Sequence, residues 1–265
     1  MNCKNCQRNL TEDTNFCLAC GAKVIRNKLT IKNLFEDFSE QFFNYDNKFL
    51  KTFITLFKKP EDVIGGYVNG TRKKYVNVVS YFAIALTLAG FQIFVIRKFF
   101  PEAMDIRGIL PDGIDIPDST ANLDWMYDYM SIITLINLPI YALMARLTFI
   151  KLKKFNYTEH LVIMTYIFAQ YTITTFLFTI GSAMLGVNFY LFGMLLMLLL
   201  MIYTAYCYKR LYPLTMEQII LRFLLFLGVL FVAFIVQTMV QVGVQIYTGE
   251  FQEMIEMQKL KSKGG

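Results

Sequence analysis

Four of the five cysteines, Cys3, Cys6, Cys17 and Cys20, fall in the first twenty residues as C-x2-C, ten intervening residues and a second C-x2-C followed by Gly21. Two such turns present thiolates in pairs, and four thiolates surround Zn2+ tetrahedrally at about 2.3 Å. Two disulfides or four free thiols are the competing readings, but a segment with almost no apolar core of its own favours the metal. Coordination by four cysteines leaves no open position for a substrate, so the expected cofactor is one structural zinc in a zinc ribbon. Without it the segment should be unfolded. Cys207, near the end of an apolar stretch, reads as a small hydrophobe, otherwise as a lipidation site.

Other chemistry is thinly represented. His160, the one histidine, stands beside Glu159 and reads as an interface residue rather than a base. There is no G-x-S-x-G, phosphate loop, H-E-x-x-H or paired-carboxylate motif, so no enzymatic activity is expected. The run PDGIDIPD lacks the ligand spacing and closing Glu of a calcium loop. Gln237, Gln241 and Gln245 stand at i, i+4 and i+8 and should share one helix face, where they would either line a polar groove or hydrogen-bond between helices. Thr71-Arg72-Lys73-Lys74 reads either as lipid-headgroup contacts through Arg72, Lys73 and Lys74 or as a snorkelling anchor.

The elements that must carry these residues are membrane elements. A 265-residue chain that is 55% hydrophobic and 17% charged has more apolar surface than a soluble core can absorb. Five apolar stretches, at about 76–96, 130–150, 161–182, 189–208 and 223–246, approach the roughly 20 residues a helix needs to cross a bilayer. None has an Asp, Glu, Lys or Arg at its middle, so proton or ion coupling has no evident carrier. The expected fold class is therefore an all-α polytopic membrane protein with five transmembrane helices. Ahead of them, the apolar residues Ile31, Leu34, Phe35, Phe38, Phe42, Tyr45, Phe49, Phe53 and Leu56 recur at helical spacing across 29–59. This predicts an amphipathic helix, or two broken near Asn44 and Asn47, capped by Thr30 and ended before Pro60. It would lie in the lipid interface, pack on the protein's own bundle, or do both. Pro60 suits the first turn of a short second helix through Tyr67, closed by Gly70, and Gly181, Gly186 and Asn188 mark a tight turn between the third and fourth spans.

Charge placement sets the expected topology. Arg72, Lys73 and Lys74, then Arg146, Lys151, Lys153 and Lys154, then Lys209, Arg210 and Arg222 all fall on one side, which the positive-inside rule makes cytoplasmic. The acidic loop from about 97 to 129 and the tail 249–265 fall on the other. The start MNCKNCQRNL lacks the pattern of a secretory signal peptide, and reduced metal-binding cysteines agree with a cytoplasmic N-terminus. The excess of basic residues is interleaved with acids, and no nucleic-acid partner is expected.

CKNC, FCLACG and the stretch from Leu29 to Phe82 together resemble an uncharacterised bacterial membrane family, domain of unknown function 3667, over roughly the first 95 residues. The family pattern T-x-x-x-L-x-x-x-P-x-x-V-x-x-x-Y-x-x-G-x-R-x-x-Y is matched by Thr52, Leu56, Pro60, Val63, Tyr67, Gly70, Arg72 and Tyr75. Val78 and Ala22 stand where relatives often carry proline and glutamine. The resemblance implies a zinc ribbon joined to several spans and implies no activity. The expected organisation is a ribbon over 1–28, interfacial helices over 29–75, a five-helix domain over 76–248 and a tail over 249–265. The function it suggests is an inner-membrane adaptor that meets lipids and a protein partner through its N-terminal region, with oligomers possible. A passive conduit lined by the last span is the alternative.

Overall fold

The computed structural model describes residues 1–22, 24, 30, 48–105 and 129–248, with the side chains at 130, 131, 236, 237, 240–242 and 244–248 left aside. Two compact units, Met1–Asn47 and Lys48–Gly265, are described separately. Among the described residues every regular element is helical, and the first unit adds one isolated antiparallel bridge, Asn2 to Asn9. Most of the expected 29–59 helix and the acidic loop fall outside the described residues, as does the tail.

The second unit begins with α1, Lys48–Lys58. A π-helical turn follows at Glu61–Gly65 and runs into one α-turn at Gly66–Val68, after which Gly70 turns the chain at φ +95°, a conformation that costs a residue without a Cβ nothing. Then come α2, Val78–Phe99; α3, Met130–Phe149; α4, Tyr157–Met184; α5, Phe189–Leu211; and α6, Met216–Thr248. Among the described residues five stretches are long and apolar enough to cross a membrane, one along each of α2 to α6, the second running on from α3 through a 3-10 turn to Leu152, which is compatible with a multi-pass membrane protein.

The helices begin where their caps are, not where the apolar windows open. The sequence places the third span at 161, but α4 starts at Tyr157, because the Asn156 side chain accepts the Glu159 amide at 2.9 Å while the Glu159 carboxylate accepts the Asn156 amide at 2.6 Å. The last span, expected at 223, belongs to a helix that starts at Met216. There Thr215 Oγ1 accepts the Gln218 amide at 3.3 Å and Gln218 Oε1 accepts the Thr215 amide at 3.1 Å. Gly181, expected in the turn between the third and fourth spans, is helical instead. The turn itself is made by Gly186 at φ +72° and by Asn188, whose side chain accepts the Tyr190 amide at 2.9 Å.

α4 is the central helix and packs on α2, α3 and α5, while α6 packs on α3 and α5. Its buried face carries Ile163, Met164, Tyr166, Ile167, Ala169 and Gln170. By contrast Leu198, Ile202, Leu224, Phe231 and Phe234 of α5 and α6 are exposed, as expected of side chains whose solvent is lipid.

α1 is seated against this bundle. Leu56 and Thr52 are fully buried, Phe49 packs on Tyr81 of α2 with ring centroids 5.7 Å apart, and Phe57 packs on Tyr203 of α5 at 5.8 Å. Thr52 Oγ1 donates to Lys48 O at 2.6 Å and accepts the Val76 amide at 2.9 Å, so one hydroxyl staples the helix to the strand of chain entering α2. Behind it Tyr81 donates to Gln170, whose amide donates to Phe53 O at 3.1 Å. For the described part of the amphipathic segment, then, packing on the protein's own bundle is observed.

Thr52→Val keeps the shape of the side chain and removes both bonds, leaving the Val76 amide without its acceptor. It should cost about 1–3 kcal/mol, read as a lower Tm of the purified protein, whereas Thr55→Val, at a half-buried position, should change Tm little.

Candidate functional site

In the first unit, two turns of the same construction face one another. The Gln7 amide donates to Cys3 O at 2.8 Å, and the Gly21 amide donates to Cys17 O at 2.8 Å. Each turn needs a left-handed residue after its second cysteine, and these are Gln7 at φ 61° and Gly21 at φ 70°. Chain partners hold the turns: the Leu10 amide donates to Met1 O at 2.7 Å and the Val24 amide to Asn15 O at 2.9 Å. Cys3 and Cys17 are buried while Cys6 and Cys20 are exposed.

The four sulfurs lie within 4.8 Å of one another. Cys3 Sγ and Cys20 Sγ are 3.6 Å apart and Cys6 Sγ and Cys17 Sγ 3.5 Å, close to the edge of about 3.8 Å that a metal–sulfur bond of about 2.3 Å gives a tetrahedron. Backbone amides of Cys20 and Ala19 hold the Cys17 thiol below its ordinary value, and the Asn5 side chain with the Ala22 amide lowers Cys20 to about 6. The Arg8 amide pulls Cys6 the same way, but the neighbouring thiols of Cys20 and Cys17 outweigh it and push Cys6 up to about 12. Four thiolates at this spacing repel one another unless a cation sits among them, and the donor set fits a tetrahedral ion that prefers sulfur.

The second unit places the remaining candidates. Arg72, Lys73 and Lys74 are exposed at the end of the bundle where α1 docks; the Arg72 guanidinium lies 4.9 Å from the Tyr67 ring centre and Lys74 Nζ 5.1 Å from that of Tyr75. Gln237, Gln241 and Gln245 fall within the continuous helix α6, and their side chains are outside the described set. Cys207 is buried.

His160 is buried within the bundle. It is 1% exposed, with Nδ1 3.0 Å from the Tyr208 hydroxyl and Nε2 3.2 Å from that of Tyr212, and Phe149 stacks on both tyrosines at 4.6 and 4.8 Å. Both ring nitrogens are thereby engaged, which makes it a structural histidine. Its partners are about fifty positions away in sequence, so no local spacing announces them.

The turn after Pro60 is fastened by charge. Arg210 Nε donates to Glu61 Oε2 at 3.0 Å and a guanidinium Nη2 donates to the other carboxylate oxygen. Burial alone would raise the Glu61 carboxyl, but the Arg210 hydrogen bond, the residue's own backbone amide and the charges of Arg210 and Lys59 hold it below the ordinary carboxylate value. The pair is partly exposed, so its worth is about 0–1 kcal/mol.

A family model described as "Protein of unknown function (DUF3667)" matches residues 46–90. That span covers α1, the turn after it and the first half of α2, and contains all eight residues of the sequence pattern from Thr52 to Tyr75. No curated protein and no solved structure matches the chain.

Two outcomes follow. Gln7→Gly relieves a left-handed non-glycine residue and should tighten metal binding by about 1 kcal/mol, seen as roughly fivefold slower loss of cobalt to a chelator. Because the folded-state pKa of Glu61 is depressed, its stabilisation is present above the ordinary carboxylate value and lost as pH falls through the folded one. Glu61→Gln should therefore melt slightly below the parent at pH 7, with the gap closing in acid.

Proposed function

We propose that this protein is a non-enzymatic adaptor of the bacterial inner membrane. Its N-terminal zinc ribbon recruits a protein partner on the cytoplasmic side, and the five-helix bundle anchors it. The observation that carries the reading is the surface of the closed cysteine centre. All four tetrahedral positions are supplied by the chain, which leaves no place for a reacting substrate, while Leu18 and Phe16, flanking Cys17, are 97% and 54% exposed. A module of this size has little reason to hold two large apolar side chains in solvent unless something covers them. Topology supports the same arrangement. Arg146, Lys151, Lys153, Lys154, Lys209, Arg210 and Arg222 collect with Arg72, Lys73 and Lys74 at one end of the bundle, which the positive-inside rule assigns to the cytoplasm, leaving the C-terminus outside. The same cations would meet anionic headgroups there.

The intact chain should carry one zinc, and Cys17→Ser should carry none. Crosslinking and co-purification from native membranes should then recover a partner with the intact protein, lose it with Cys17→Ser, and lose it equally with Leu18→Asp, which keeps the metal. If the same proteins came down with all three, the adaptor reading would fall.

A passive conduit lined by Gln237, Gln241 and Gln245 is the second reading, favoured by their placement on one uninterrupted helix at i, i+4 and i+8. Replacing all three with leucine should abolish solute flux in liposomes; unaltered flux would refute it.

A further inference from the structure

A cavity of about 850 Å3 is lined by α2, α4 and α5, with Thr134 of α3. On α2 it runs from Phe82 to Lys98, about 24 Å at 1.5 Å per residue and most of the roughly 30 Å thickness of a bilayer core. It therefore lies within the stretches that are long and apolar enough to cross the membrane.

Its body is less polar than its residue types suggest. Thr175 Oγ1 donates to Tyr171 O at 2.9 Å and Thr179 Oγ1 donates to Thr175 O at 2.9 Å, so these hydroxyl protons are spent within α4. What Thr175 and Thr179 add to Leu86, Ile93 and Phe168 is chiefly methyl surface, and the uncharged polar groups of Gln92, Tyr171, Thr134 and Thr172 interrupt an otherwise apolar lining. Room is made by glycine: a Cβ added at Gly90 of α2 or Gly193 of α5, both on the lining, would meet nothing within 4 Å. The charged residues of the lining are Arg97 and Lys98, in the last turn of α2.

A long apolar channel with two cations at its end matches an anionic amphiphile. We propose that this cavity holds one acyl chain of an anionic phospholipid from the surrounding bilayer, with the headgroup at Arg97 and Lys98. The lining includes none of the four cysteines and none of Gln237, Gln241 and Gln245, so the proposal stands or falls apart from the adaptor reading.

The full-length protein in mild detergent is incubated with radiolabelled phosphatidylglycerol or with phosphatidylcholine of the same acyl chains, and the lipid retained through gel filtration is counted per chain. One phosphatidylglycerol should be retained, preferred over phosphatidylcholine by at least about fivefold, the value of a single surface cation of about 1 kcal/mol. Gly90→Leu with Gly193→Leu should abolish retention of both lipids. Arg97→Gln with Lys98→Gln should bring the two lipids level while leaving phosphatidylcholine retention as it was. A photoactivatable acyl chain on phosphatidylglycerol should crosslink the unmodified protein within Thr172–Thr179, a readout that needs no variant to fold. Retention unaffected by the leucines, a headgroup preference unaffected by the glutamines, or crosslinks elsewhere would overturn the proposal. So would a dimer that carries no lipid, since a second copy would then fill the space.

Discussion

Pro60 has no N–H to give, so the carbonyl of Leu56, which an ordinary helix would pair with residue 60, is left without its donor at a fully buried position. The hydroxyl of Tyr203, 147 positions along the chain, supplies that bond at 3.1 Å. The single Tyr206 hydroxyl proton is shared by the next two carbonyls, Phe57 O at 3.0 Å and Lys58 O at 3.1 Å. The end of α1 is thus capped by side chains of α5, and the buried carbonyl of Leu56 is left with a partner. These bonds fasten α1 to α5 just before the turn that leads, through Gly70, to the basic residues 72–74 and α2. Tyr166 completes the set by donating to Val76 O at 2.8 Å, where the chain turns into α2.

The eight pattern residues within the matched span 46–90 have architectural roles. Thr52 staples α1 to Val76, Leu56 and Val63 fill the core, Pro60 creates the vacancy that Tyr203 fills, Gly70 supplies the left-handed turn, and Arg72 lies over Tyr67. The residues that match are those that seat an amphipathic helix on a membrane bundle. The cysteine module lies outside the matched span, in a unit of its own.

The sequence makes the five spans legible because twenty apolar residues have few alternatives, and it makes the cysteine centre legible because C-x2-C twice over has few others. Both capping boxes are also written there, as N-x-x-E at 156–159 and T-x-x-Q at 215–218, but they sit outside the apolar windows and so go unread when the spans are drawn by hydropathy. Gln7 is legible only as the twin of Gly21, once the two turns are seen to have one construction. The docking of α1 is not legible at all: a lipid interface and a protein groove demand the same amphipathic periodicity, and the deciding partners, Gln170, Tyr203 and Tyr206, are more than a hundred positions away. The surroundings of His160 go unread for the same reason, since Tyr208 lies in α5 and Tyr212 just past its end.

The dependence of the elbow on a substituted cap can be measured with a double-mutant cycle between Pro60→Ala and Tyr203→Phe, read as unfolding free energy in one detergent. In the parent, Tyr203→Phe should cost about 1–3 kcal/mol, because a buried carbonyl loses its donor. In the Pro60→Ala background, where an alanine amide can serve Leu56 O, the same change should cost far less, giving a coupling of about 1 kcal/mol or more. Costs that simply add would contradict the account, for the tyrosine would then be packing against α1 without completing it.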